Sequence, residues 1–320
     1  MLPNAPGRYA AERAEHQAPP PASCALDEDR KPTSVDSGIE VDEVVQMASN
    51  EQAALPIGSE SAAREPVPLV SDDMGPQNLS AATRRHVGVV ASYDFTRQVE
   101  LRRWIPPTVE CTLTLTREVP YRDNLELVSR LGRPDLLAEP VDELVECETE
   151  AVAYLCTACS FAGGVSGEQA LREAMRKHGA RQALTTSGAV TDALRAVGAR
   201  RLAVVHPYQE PVDRLLAAYL EDSGFDVVAL TPLGLDAVED VYTVNEQQVL
   251  DTVVAGDHCK ANALFISCTA LPTYDALPHL GKRLGKPVIS ANQATAWALL
   301  GAVGAQPHGP RQRLLRSSPG

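Results

Sequence analysis

The 320-residue chain carries 29 basic and 42 acidic side chains, a formal net charge of −13. That excess argues against nucleic acid and anionic membranes as partners, since both need a basic footprint. Aromatic residues supply only 4% of the sequence, which suits an aliphatic α/β core better than an aromatic-rich β-sandwich. No stretch reaches the ~20 apolar residues of a membrane span. With no signal-like apolar region and an odd count of seven cysteines, the expectation is a cytoplasmic protein with reduced thiols.

Residues 1–85 are rich in Pro, Ala, Ser and acidic side chains, with PPPAS at 19–23 and Asp27, Glu28 and Asp29 in succession. Hydrophobic periodicity is nearly absent. Such a segment cannot bury enough apolar surface to offset its ordering entropy, so it reads as a disordered, non-catalytic tail. Only 41–47 has a faint amphipathic pattern, that of a short helix or docking motif.

From His86 onward, apolar runs alternate with helical periodicity. The first predicted strand is 86–92, followed by a helix over 95–104 for which Asp94 is placed as N-cap. Strands at 109–117, 151–157 and 182–186 follow. A helix at 167–178 carries Leu171 and Met175 four apart and stops at Gly179. The helix at 190–197 stops at Gly198 and leads into a strand at 201–206. Next come a helix at 211–220 ending near Gly224, a strand at 226–230, a helix at 245–254 and a strand at 263–268. A helix at 274–284 and a strand at 287–290 complete the series. Glycine after the last apolar position is the usual helix stop.

Apolar strands alternating with helices imply parallel sheets covered on both faces. An internal repeat divides them: AVAYLCTAC (151–159) and ALFISCTAL (263–271) are both apolar strands ending in Cys-Thr-Ala. They lie roughly 110 residues apart, about the size of one compact lobe. The predicted fold is α/β, with two pseudosymmetric lobes, each a parallel four-stranded sheet flanked by helices, and the active site between them. The first lobe takes 86–188 and is completed by 291–305. The second takes 189–290, and 306–320 is a flexible C-terminal tail.

In open parallel sheets, ligands sit beyond the carboxyl ends of the strands, where both Cys-Thr-Ala turns fall. A turn or helix N-terminus after each cysteine favours anions and lowers a thiol's pKa. Cys156 and Cys268 are therefore the candidate catalytic pair, one sulfur on each side of a small planar substrate. A buried cysteine is also a common small hydrophobe, and the matching phase of the two is what argues against that reading here. Cys156 and Cys159 also form C-x-x-C, the spacing of thioredoxin-like redox pairs and of zinc ligands. A zinc site needs a second close pair of ligands. His258 and Cys259 are the only nearby pair, and they precede a strand on the wrong side of the sheet. Cys159 reads instead as a neutral side chain packed under the turn. Cys24, Cys111, Cys147 and Cys259 receive no role. Neither G-x-G-x-x-G nor a Walker loop is present, so no cofactor and no metal are expected.

Four stretches carry a family resemblance: VVASYDFTRQVELRRWIP, AYLCTACSFAGG, TTSGAVTDALRAVGARRLAVVHPY and ISCTALPTYDALPHLGKRLGKPVISANQATAWALL. In this order and spacing, over about 86–303, the chain resembles the aspartate/glutamate/hydantoin racemase superfamily. The nearest branch is the one holding maleate cis-trans isomerase and arylmalonate decarboxylase. The resemblance implies two similar lobes, an active site between them and no cofactor. It also implies a catalytic thiol at Cys156, where the decarboxylase has glycine, and a second at Cys268. Thr157 matches a threonine that holds a carboxylate or enediolate. Tyr208 matches a tyrosine that contacts the substrate carboxylate, and Thr269 would offer its backbone N–H. Ala158 stands where the branch often has serine. Asp94 stands where maleate isomerases tend to have asparagine, and a carboxylate there would repel a dianion. Bland readings exist for these too: Thr157 and Thr269 as helix caps, Tyr208 as a half-buried turn residue.

The expected function is thus cofactor-independent isomerisation of a small carboxylic acid by two opposed cysteines. Amino-acid racemisation by two-thiol proton transfer, arylmalonate-type decarboxylation and a non-catalytic binding relative are the alternatives. The expected partner is a small carboxylate, and association with further copies of the chain is compatible with this reading.

Overall fold

Two sheets with the same strand order organise the computed structural model, which describes residues 66–68, 84–309 and 312–317. The first sheet contains β1 (Val67–Pro68), β2 (Arg85–Ala91), β3 (Val109–Leu115), β4 (Ala151–Leu155) and β5 (Ala183–Thr185), in the order β1-β3-β2-β4-β5. The second contains β6 (Arg201–His206), β7 (Asp226–Pro232), β8 (Ala263–Ile266) and β9 (Val288–Ser290), in the order β7-β6-β8-β9. Leaving β1 aside, β3-β2-β4-β5 and β7-β6-β8-β9 match in order, and every pairing among them is parallel. In this match β4 corresponds to β8, so Cys156 and Cys268 follow equivalent strands.

The central strands are apolar throughout because helices cover both faces; all five residues of β4 and all four of β8 are buried. The helices are α1 (Gln98–Trp104), α2 (Asn124–Leu131), α3 (Ala138–Glu146), α4 (Thr157–Phe161), α5 (Gly164–Lys177), α6 (Thr186–Ala196), α7 (Val212–Asp222), α8 (Glu246–Ala255), α9 (Ala276–Leu284) and α10 (Ala291–Ala302). Helix α10 follows the last strand of the second sheet, yet its Leu299 and Leu300 join the core of the first, beside Val87, Ala153 and Leu155. Its Ala294 and Trp297 lie in another cluster with Val204 and Phe265 of the second sheet. Burying a side chain such as Leu299 or Trp297 contributes roughly 1.5–3 kcal/mol, so α10 is a shared wedge between the sheets.

Three differences from the sequence reading have local causes. First, the first sheet has five strands, because Val67 and Pro68, inside the segment read as a disordered tail, pair antiparallel with Leu113 and Thr112. Proline is tolerated there because β1 is an edge. The weak amphipathic stretch at 41–47 and most of 1–85 lie outside the described residues. Second, the C-terminal segment does not behave as a flexible tail throughout. Leu314 is fully buried in a short 3₁₀ turn, and Trp297 Nε1 donates to the Ser317 carbonyl at 2.8 Å. Third, α2, α3, α4 and α10 have no separate counterpart among the expected helices. In α3, Pro140 reads as a breaker but sits in the first turn, where the backbone N–H has no intrahelical acceptor.

Candidate active site

Strand β4 ends at Leu155, and Cys156, extended at φ −147°, becomes the N-cap of α4. The cap is fixed from outside the helix. Ser160 Oγ lies 2.7 Å from the Cys156 carbonyl oxygen, and Ser187 Oγ donates to the Thr157 carbonyl at 3.0 Å. The Ser187 amide in turn donates to Ser160 Oγ at 3.1 Å. An N-cap and the third helical residue share one face of the first turn, so the Cys156 sulfur meets Cys159. The amide of Cys159 donates to it at 3.4 Å, and the two sulfurs are bonded as a disulfide with a Cα–Cα distance of 5.4 Å. This corrects the reading of Cys159 as mere packing. It also corrects the expectation of uniformly reduced thiols: Cys156, Cys159 and Cys259 are disulfide-bonded, while Cys111, Cys147 and Cys268 are free.

The second Cys-Thr-Ala turn is built differently. Beyond β8, Ser267 is fully buried and Cys268 adopts φ +100°, a backbone region that costs a non-glycine residue of order 1–3 kcal/mol. Surrounding hydrogen bonds hold the turn in that state. Arg97 Nε donates to the Ala270 carbonyl at 3.0 Å, and Asn292 Nδ2 donates to the Thr269 carbonyl at 3.0 Å. The buried Glu100 carboxylate accepts from the Thr273 amide at 2.9 Å and from Thr273 Oγ1 at 2.6 Å. Burial raises the pKa of Glu100, against the bonds from Thr273 and Asn292 that lower it. Arg97 reaches further, its Nη2 donating to the Tyr242 and Val244 carbonyls at 3.1 and 3.0 Å.

The expectation that a helix N-terminus lowers both thiol pKa values fails at Cys268. Helix α9 begins only at Ala276, and burial pushes the Cys268 thiol up to about 11. The Ala270 amide and the Tyr208 hydroxyl oppose that shift; the Asp94 carboxylate adds to it, and the Arg97 guanidinium works against it. Burial wins because a thiolate loses its hydration there while gaining few donors.

Both turns open on one cavity of ≈ 90 Å³. Asp94, Cys156, Thr157, Ala158, Tyr208, Cys268 and Thr269 all line it, with Leu127, Val128, Leu131 and Val241 forming apolar walls. Asp94 and Tyr208 follow β2 and β6, which are themselves equivalent strands, so the cavity gathers matched strand ends from both sheets. Asp94 is not a helix cap: α1 starts at Gln98 with Arg97 in the N-cap position, which leaves the Asp94 carboxylate facing the cavity. Thr157 is not a cap either, since Cys156 holds that position. Buried Thr157 Oγ1 lies near the Tyr208 hydroxyl but outside hydrogen-bond geometry, without a partner among the described residues. The Tyr208 hydroxyl is 3.1 Å from Ser267 Oγ, and burial raises its pKa well above the ordinary phenol value.

Sequence reasoning missed Arg97, Glu100, Asn292, Ser187 and the cavity-lining Tyr242. Arg97 and Glu100 were visible as charged residues on a helix otherwise read for its apolar face. Tyr242 sits in a 3₁₀ turn, Glu239–Thr243, whose period gives no amphipathic signal.

A family model described as arylmalonate decarboxylase matches residues 135–315, more than half of the chain and a span that holds both cysteine turns and Tyr208. The chain belongs to the arylmalonate decarboxylase family. It is 30% identical over 190 residues to an arylmalonate decarboxylase of Bordetella bronchiseptica, covering 55% of this chain and 79% of that one. A maleate isomerase of Nocardia farcinica is 30% identical over 164 residues, 49% of this chain and 65% of the relative. Among solved structures, the Nocardia farcinica maleate cis-trans isomerase bound to TRIS aligns with a TM-score of 0.63 at 25% identity, over 72% of this chain and 98% of that chain. These relatives of the family member are enzymes of two kinds, an isomerase and a decarboxylase, on one α/β fold. No helix among its described residues is long and apolar enough to cross a membrane.

Proposed function

We propose that the chain is a cofactor-independent isomerase of a small carboxylic acid, with Cys156 and Cys268 as its catalytic pair. The observation that carries this reading is their convergence on one cavity, each from the end of an equivalent strand, with Tyr208 and the unpartnered Thr157 hydroxyl between them. In the reduced protein, the Cys156 thiolate adds to one carbon of the double bond, and the electron pair moves onto the neighbouring carbon and its carboxylate. The former double bond then rotates, the pair returns, and the thiolate leaves. Cys268, protonated at neutral pH because burial holds its thiol near 11, serves as the acid facing the enediolate and takes the proton back. Thr157, Tyr208 and the amides of Thr157, Ala158 and Thr269 hold the carboxylate oxygens. Amino-acid racemisation uses the same two sulfurs on opposite faces of Cα.

Asp94 narrows the substrate. A carboxylate facing the cavity disfavours a dianion such as maleate and favours an amine, hydroxyl or amide on that side. A second reading, decarboxylation with Cys268 as sole proton donor, is favoured by one observation: the Cys156–Cys159 disulfide leaves Cys268 as the free thiol of the cavity.

The test is to follow maleate, both enantiomers of aspartate and glutamate, and an arylmalonate by NMR in D₂O with fully reduced protein. Cis-trans conversion supports the isomerase. Deuterium at Cα without conversion moves the assignment to proton transfer, and loss of carboxylate to decarboxylation. Unchanged spectra throughout, together with a Cys156 inert to alkylation at neutral pH, would move it to a non-catalytic binding protein.

A further inference from the structure

We propose that Cys156 and Cys159 form a reversible oxidative modification site, in which peroxide converts the active-site thiol to a disulfide and closes the catalytic cavity to chemistry. The inference rests on the reading of Cys156 as the nucleophile and adds a role for Cys159, which that reaction does not use.

Three observations carry it. The two sulfurs are bonded, across an N-cap and the third residue of the same helix. The backbone around them is braced on both sides. Ser160 and Ser187 hold the Cys156 and Thr157 carbonyls, and Gly132 packs so closely that a Cβ there would lie 2.7 Å from the Cys159 carbonyl oxygen. The turn therefore keeps the sulfurs adjacent in either state, and bond formation needs no unwinding of α4. Finally, the sulfurs differ in access. Cys156 is partly exposed to the cavity, whereas Cys159 is 2% exposed behind it. An oxidant reaches Cys156 first, and Cys159 is the resolving thiol.

The cavity of ≈ 90 Å³ has room for about three water-sized groups at roughly 30 Å³ each, which selects a small oxidant of the hydroperoxide class over a protein disulfide. The Cys156 thiolate attacks one peroxide oxygen, the O–O bond breaks and hydroxide leaves, giving a sulfenic acid. The Cys159 sulfur then attacks Cys156 Sγ. The S–S bond forms, the S–O bond breaks, and the departing hydroxide takes up the thiol proton as water. A dithiol reverses the change by two successive exchanges, returning both thiols and becoming a disulfide itself. Cys268 stands outside the exchange: it is a free thiol in the same structure, held in its own turn.

The experiment is peptide mapping of the full chain, with free thiols alkylated after treatment with dithiothreitol or with hydrogen peroxide, alongside turnover of whichever substrate the NMR screen identifies. The expected result is alkylated Cys156 and Cys159 after dithiothreitol. After peroxide, a Cys156–Cys159 peptide lighter by two hydrogens should appear, with turnover lost by on the order of 10²-fold and restored by dithiothreitol. In Cys159→Ala, peroxide should leave Cys156 as a dimedone-reactive sulfenic acid that proceeds to irreversible oxidation. Cys156 that remains alkylatable after peroxide, that pairs with another cysteine, or whose oxidation leaves turnover intact would overturn the inference. Failure of the isomerase reading looks different: no substrate is turned over by the reduced protein, while the peptide map still reports the reversible bond.

Discussion

Cys156 and Cys268 stand in the same tripeptide, after equivalent strands of two matched sheets, and open on one cavity, yet their surroundings have little in common. The Cys156 turn is extended, begins a helix and is held by neutral serine hydroxyls. The Cys268 turn takes a positive φ, begins no helix and is held by Arg97, Glu100 and Asn292. One sulfur is bonded to a neighbour, and the other is a free thiol whose ionisation burial opposes. A repeated sequence thus places two identical side chains symmetrically and leaves their chemistry to the flanking structure. In the proposed isomerase this asymmetry divides the work: Cys156 supplies the nucleophile and Cys268 the proton.

The largest effects should come from the sulfurs. Cys156→Ser and Cys268→Ser are each expected to lower kcat by roughly 10²–10⁴-fold, measured on reduced protein. The division of labour predicts a further difference: Cys268→Ser should leave Cys156 alkylation at neutral pH unchanged. If decarboxylation by Cys268 alone is the reaction, Cys156→Ser should instead keep most of the activity.

Next in size is Arg97→Met. It removes three bonds to carbonyls that tie the Cys268 turn to the 3₁₀ turn over the cavity, and bonds to a charged group contribute about 1.5–3 kcal/mol each. As a positioning residue, Arg97 should affect kcat more than KM, by roughly 10–100-fold for a transition-state loss of about 1.4–2.8 kcal/mol. The pH profile should also shift to higher pH at the limb set by Cys268, because a cation that favours the thiolate is gone. An equal fall in kcat/KM and thermal stability, with an unmoved profile, would reduce Arg97 to a structural brace.

Asp94→Asn probes the substrate side of the same comparison. Removing a carboxylate from the cavity should lower KM for a dianionic substrate by roughly 5- to 30-fold, the equivalent of about 1–2 kcal/mol of relieved repulsion. Unchanged KM values for mono- and dianionic substrates would place Asp94 outside the binding site.

How much of this was legible in the sequence follows from which forces act along the chain and which act across it. All eight strands from β2 to β9 were visible, because a strand buried on both faces must be apolar at every position. Helices with one buried stripe, such as α7 with Val212, Leu215, Leu216 and Tyr219, were visible for the same kind of reason. Helix α10 lies between the sheets and is buried on all sides from Ala291 to Leu300, so it has no amphipathic period to find. The cysteines were found through their repeat, but neither the positive φ of Cys268 nor the Cys156–Cys159 bond leaves a trace in residue spacing alone. The first is imposed by Arg97 and Asn292, which lie on other elements, one far upstream of Cys268 and one downstream of it. The second depends on the cap geometry of a five-residue helix.

The smallest expected effect concerns stability. The fold raises the Cys268 thiol from its ordinary 9.0 to about 11, so it favours the neutral form. Stability from this group is fully present below pH 9 and is lost as pH rises from about 9 through 11, where the unfolded chain has already released its proton. Thermal unfolding across this range should therefore fall less steeply in Cys268→Ser than in the parent protein. Parallel curves would mean that Cys268 ionises as it does in the unfolded chain.

The most direct test of the account is a double-mutant cycle on reduced protein, with kcat measured for Cys156→Ser, Cys268→Ser and the double variant. Two sulfurs serving one reaction predict that the double variant is no slower than the slower single variant, because either loss already disables the pair. Multiplying losses, or full activity in either single variant, would contradict a two-cysteine mechanism.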